Sequence, residues 1–122
     1  MSEAPNVHNS TFYSISTASF GHAVNHNNLT GTLFTELGLM SSLEILWMNS
    51  NRLSGTIPSE VGQLMKLQGL HLSSNNLSGS IPTKVGEMAS LSEFSADSNV
   101  LTSTIPIIIG NLESLHYLSL SK

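Results

Sequence analysis

Asn27, Asn51, Asn75 and Asn99 stand 24 residues apart, and most of the chain keeps the same interval. Leu29, Leu53, Leu77 and Leu101 follow each Asn by two places. Gly31, Gly55 and Gly79 follow by four, with Ser103 in the last copy. Ile57-Pro58, Ile81-Pro82 and Ile105-Pro106 recur in the same frame, with Leu33-Phe34 in the first. Then come Leu37-Gly38, Val61-Gly62, Val85-Gly86 and Ile109-Gly110, and Leu43, Leu67, Leu91 and Leu115 open the next unit. The unit reads L-x-x-L-x-L-x-x-N-x-L-x-G-x-I-P-x-x-[LV]-G-x-[LM]-x-x, and residues 67–90 are its cleanest copy. A fixed period of this length dictates a stack of like units, each in contact with its neighbours.

The physics of one unit explains the stack. Its L-x-L core alternates apolar and polar residues, as a half-buried strand does. So short a strand cannot bury its apolar face alone. A second unit about 4.8 Å away pairs its backbone and covers that face, giving a parallel sheet along one side of a solenoid. Each Asn falls where the chain leaves the strand. There its amide can serve backbone groups that the sheet no longer satisfies, so the four Asn are expected to form a buried structural ladder. Gly55 and Gly79 suit a tight bend, and the Pro residues suit an extended segment. Ser59–Leu64 and its equivalents have room for about one helical or 3₁₀ turn on the back.

This unit resembles the leucine-rich repeat, and its G-x-I-P half is similar to the plant-type subclass. Receptor-like kinases and receptor-like proteins of plants carry such units in their ectodomains, as do some algal repeat proteins. The resemblance implies a right-handed α/β solenoid. A parallel sheet would line its concave face, and short 3₁₀ or helical turns with extended segments its convex face. It covers residues 19–122, read as four full units and a partial fifth.

The ends depart from the pattern. Residues 1–18 lie outside the frame. They read as an imperfect cap with Phe12, Ile15 and Phe20 over the first coil, as a disordered segment, or as a misassigned start of a longer product. The plant-type cap usually has paired Cys and a Trp, which are missing there. In the degenerate first unit His22 takes a Leu place and is expected to point inward as an end-coil His. Phe94 and Ala96 replace two Leu, an exchange that roughly conserves core volume. Ile107 and Ile108 read as an apolar patch on the convex side, either packed locally against neighbouring coils or in contact with a partner or missing segment. The chain stops at Lys122, one residue short of the next expected Asn and with no polar capping unit. A solenoid needs capped ends for solubility, so the expectation is a fragment of a longer array.

Composition removes several functions. The 122 residues include 18 Leu, 22 Ser and 11 Asn, with charged residues at 10 %. Eight acidic and four basic residues leave a formal net charge of −4, which disfavours nucleic acid and anionic membranes as partners. With no Cys there is no disulfide, thiol nucleophile or thiolate metal site. No apolar run approaches the roughly 18 residues of a membrane helix, and residues 1–12 lack the features of a signal peptide. His8, His22, His26, His71 and His116 show no metal-binding spacing, and no nucleophile elbow, phosphate loop or kinase signature occurs. Neither enzyme activity nor a cofactor is expected.

What remains is a surface. Residues flanking the inward Leu positions point onto the concave face and form columns across units. One column contains Ile45, Gly69, Glu93 and Tyr117; the next contains Trp47, His71, Ser95 and Ser119; Asp97 belongs to the third. Trp47 beside His71 and Ile45, with Gly69 leaving room, reads as a pocket for a protein or peptide side chain, ringed by Glu93, Asp97 and Tyr117. The bland alternative is a cross-strand surface pair of Trp47 and His71. Sequons at Asn9, Asn28 and Asn76 could accept N-glycans. The resulting expectation is a non-catalytic protein- or peptide-recognition module. The resemblance implies a receptor-like ectodomain, hence a cell-surface site and a parent that could be membrane-anchored. The rivals are a stand-alone or intracellular, cytoplasmic scaffold and a structural spacer. Fold alone does not choose among them.

Overall fold

A computed structural model describes residues 28–102 and 105–121, and the backbone of residues 21–23. The expected cap at 1–18, the inward His22 side chain, Asn27 and the sequon at Asn9 lie outside the described residues. The chain coils so that successive L-x-L segments lie side by side. The strands β1 (Gly21–Ala23), β3 (Ile45–Trp47), β5 (Gly69–His71), β7 (Glu93–Ser95) and β9 (Tyr117–Ser119) form one parallel sheet in that order. Their register keeps the 24-residue interval: Leu46 pairs with Leu70, Leu70 with Phe94, and Phe94 with Leu118.

A second parallel sheet forms where the sequence suggested only a bend. It joins β2 (Thr30–Thr32), β4 (Arg52–Thr56), β6 (Asn76–Gly79) and β8 (Val100–Leu101) in that order. Leu53 and Leu77 point into the core from it, and Ser54 and Ser78 donate to the Gly31 and Gly55 carbonyls of the preceding coil. Gly55 and Gly79 adopt φ of +75° and +74°, where a side chain is strained. A Cβ at Gly55 would also come within 2.8 Å of Thr32 Cγ2. Glycine bends each strand while letting the coils close up.

Four 3₁₀ turns, Thr35–Leu39, Ser59–Gln63, Thr83–Glu87 and Ile107–Asn111, line the remaining side. Gly38 and Gly62 lie against the Glu60 and Lys84 carbonyls of the following turn, where a Cβ would approach to 2.6 Å. Ile108 is half-buried over Gly86, so it does not form an exposed pair with its neighbour; Ile107 alone protrudes, 97 % exposed. The core is one ladder of like residues. Leu46, Leu70 and Phe94 are fully buried, as are Met48, Leu72 and Ala96. In the last coil the same frame position, Leu118, is 39 % exposed.

The Asn ladder bonds backbone rather than amide to amide. Asn51, Asn75 and Asn99 Oδ1 accept from the N–H of Leu29, Leu53 and Leu77 on the preceding coil. Asn75 Nδ2 donates to the Leu72 carbonyl of its own coil and to Met48 O of the one before, and Asn99 likewise to Ala96 O and Leu72 O. The turn leaves these groups unpaired, and they take up the amide's capacity. Asn99 is buried, while Asn51 and Asn75 are half-buried, less enclosed than expected.

Candidate functional site

The concave sheet carries the outward columns, and its chemistry is concentrated on β3, β5, β7 and β9. Trp47, 38 % exposed, stands opposite His71 in the parallel register. The two rings stack with centroids 6.0 Å apart and planes inclined by 15°. His71 Nδ1 lies 3.2 Å from Ser95 Oγ on the next strand. On its other side Nε2 lies 3.3 Å from Glu93 Oε1 but is buried without a hydrogen bond, so the contact is close and poorly aimed. Imidazole and hydroxyl thus hold each other across two strands, with the carboxylate close beside them.

The room expected at Gly69 is closed. His71 leans over it, so that an added Cβ would lie 3.1 Å from His71 Nε2 and 3.4 Å from Ile45 Cγ2. The open volume lies one strand further along. A trough of about 530 Å³ is lined by Ser73, Glu93, Ser95, Asp97 and Tyr117, with His71 as one wall and His116 at its edge. Ile45 and Trp47 lie outside this lining. Of the six residues singled out on this face, the trough gathers His71, Glu93, Asp97 and Tyr117. Its remaining members, Ser73, Ser95 and His116, are missed by sequence reasoning. The columns already place Ser73 and Ser95 on this face; His116 precedes its strand, where no alternation assigns a side.

Ser95, His71 and Glu93 have the residue types of a nucleophilic relay, but the geometry does not serve attack. Ser95 is only 5 % exposed. The main-chain N–H groups of Leu72 and Ala96 are spent in the ladder, on Ser95 O and Ser119 O, and cannot hold an oxyanion. The network fixes the imidazole. Among the described residues no group of His, Asp and Glu is placed to hold a metal ion, and no helix is long and apolar enough to cross a membrane. Of the sequons, Asn76 is exposed on the second sheet and Asn28 is exposed just before β2.

Two parallel sheets and a row of 3₁₀ turns, repeated every 24 residues, define a solenoid scaffold with one sheet face left open. Its units are leucine-rich repeats of the plant type: the Leucine Rich Repeat family model matches residues 42–64 and 66–88. The fold is similar to that of solved plant receptor ectodomains. The ectodomain of GASSHO1/SCHENGEN3 from Arabidopsis thaliana, in complex with CASPARIAN STRIP INTEGRITY FACTOR 2, is 37 % identical over 83 % of this chain and 12 % of its own, with a TM-score of 0.78. The ectodomain of the Arabidopsis receptor kinase HAESA, in complex with an IDA peptide hormone, is 33 % identical over 84 % of this chain and 17 % of its own, at TM-score 0.79. The BIR2 ectodomain from Arabidopsis thaliana is 32 % identical over 80 % of this chain and 52 % of its own, at TM-score 0.77. The chain therefore spans a small part of the GASSHO1/SCHENGEN3 and HAESA ectodomains and about half of that of BIR2. The comparison with curated proteins gives no match.

Proposed function

We propose that this chain is a non-catalytic recognition module whose concave sheet holds a peptide or an extended protein segment, as part of a receptor-like ectodomain at the cell surface. The observation that carries the reading is the exposed Trp47, braced by His71 beside an open trough on the same sheet. Aromatic anchors of this kind concentrate binding energy at interfaces. The similar fold of the HAESA ectodomain with its peptide hormone, and of GASSHO1/SCHENGEN3 with CASPARIAN STRIP INTEGRITY FACTOR 2, supports it. A peptide laid across the strands would cover Trp47 and fill the trough, while Asn28 and Asn76 stay on the other sheet or beside it.

Selection of a random dodecapeptide display library on the full chain, repeated with Trp47→Ala, tests the reading. Peptides enriched on the parent should bind the variant about tenfold or more weakly, as expected for loss of an interface anchor. Enrichment indifferent to Trp47 would place recognition elsewhere.

A further inference from the structure

Resting on that reading, we propose that the trough takes an arginine side chain of the bound segment. Glu93 and Tyr117 are register partners on β7 and β9, so a carboxylate and an aromatic ring stand on one face about 4.8 Å apart in strand spacing. Both are presented outward: the Glu93 side chain is 47 % exposed and Tyr117 51 %. Asp97 lines the same trough. Its main-chain carbonyl is used by Ser74 N and Asn99 Nδ2, and among the described residues its carboxylate has no ion-pair partner.

Among the described residues no lysine or arginine answers those charges, and Glu93 meets only the His71 imidazole, at 3.3 Å. Among the described residues Arg52 belongs to the second sheet, Lys66 follows a 3₁₀ turn, and Lys84 is paired with Glu87 on another such turn. The concave face is therefore acidic and aromatic, and its complement is a cation. His71 is one of the residues lining the trough, its buried Nε2 already 3.3 Å from Glu93 Oε1. The geometry favours arginine over lysine. A planar guanidinium can lie on the Tyr117 ring while its fork of N–H donors meets Glu93, and Asp97 supplies a second acceptor. An ammonium lacks the planar fork that meets a carboxylate at two points while its face lies on a ring.

The same dodecapeptide selection decides the matter. Enriched sequences should share an arginine. Replacing it with the neutral isostere citrulline should weaken binding to the parent chain about tenfold or more, and replacing it with lysine by less. That comparison uses only the parent protein and does not depend on any variant folding. Glu93→Gln combined with Asp97→Asn should abolish the preference for arginine over citrulline, with the far-ultraviolet circular dichroism unchanged. Enriched peptides that depend on Trp47 but lack arginine, or bind equally with citrulline, would overturn the arginine assignment and leave the recognition face standing. Absence of any Trp47-dependent enrichment would overturn both.

Discussion

The Trp47 indole lies nearly flat over the His71 imidazole, with planes 15° apart, although the two residues are 24 positions apart in sequence. Strand register brings them together, and Ser95 pins the far side of the imidazole. The largest apolar group on the face is thus held before any partner arrives, which lowers the ordering cost of binding.

Truncating Trp47 to Ala should therefore change folding stability by less than about 1 kcal/mol, the scale of a cross-strand surface pair. Urea denaturation followed by far-ultraviolet circular dichroism measures it. A loss of several kcal/mol would make the indole part of the structural core.

Gly69→Ala should disturb the site from beneath. The new Cβ would crowd His71 Nε2 at 3.1 Å, and Gly69 is buried in the sheet. The imidazole must swing away from Glu93 or the stack must shift, at about 1–3 kcal/mol for overpacking. Trp47 is the only Trp, so its emission spectrum reads the shift directly. Unchanged emission would mean that His71 yields without moving the indole.

The Asn positions should differ in cost. Asn99→Ala strands the Leu77 N–H and the Ala96 carbonyl in a buried setting and leaves Leu72 O with Asn75 Nδ2 as its remaining side-chain donor. About 1–3 kcal/mol is expected there. Asn51→Ala, at a half-buried position, should cost less because water can reach the orphaned groups. Chemical denaturation of both variants at the same pH gives the order, and equal losses would argue against solvent relief at Asn51.

Equivalent core positions should lose unequal stability. Leu70 is fully buried between Leu46 and Phe94, whereas Leu118 pairs with Phe94 alone among the described residues and is 39 % exposed. Leu70→Ala should cost about 2–5 kcal/mol, and Leu118→Ala well under half of that. Amides of 117–119 should also exchange faster than those of 69–71, as coils with one neighbour open more readily. Equal protection in a monomer would contradict nearest-neighbour stacking.

The sequence was most informative where the period acts alone. Inward Leu positions, the register of the first sheet and the outward set of Trp47 on β3 all follow from spacing and alternation. The second sheet was hidden, because Asn-Leu-Ser-Gly offers one inward Leu and then a glycine that weakens any strand pattern. Only the close stacking of whole coils makes its pairing favourable. Columns on a sheet also leave rotamers undetermined. That His71 would lean over Gly69, reach Ser95 and leave the opening at Glu93 and Tyr117 is a side-chain choice made in three dimensions. The backbone partners of the Asn amides were legible, because the turn must leave N–H and carbonyl groups for them to serve; their degree of burial was not.

Among the described residues, Asn51, Asn75 and Asn99 make bonds between coils that span 22 or 27 residues, and Ser54, Ser78 and Ser92 make like bonds at 23 or 24. No step in assembling these coils has to bring distant parts of the chain together. Each closes a loop of about the same length, and loop-closure entropy then costs about the same at every step. The slow event is forming the first stacked pair; later coils add by growth, so the folding rate should depend little on how many coils an array contains.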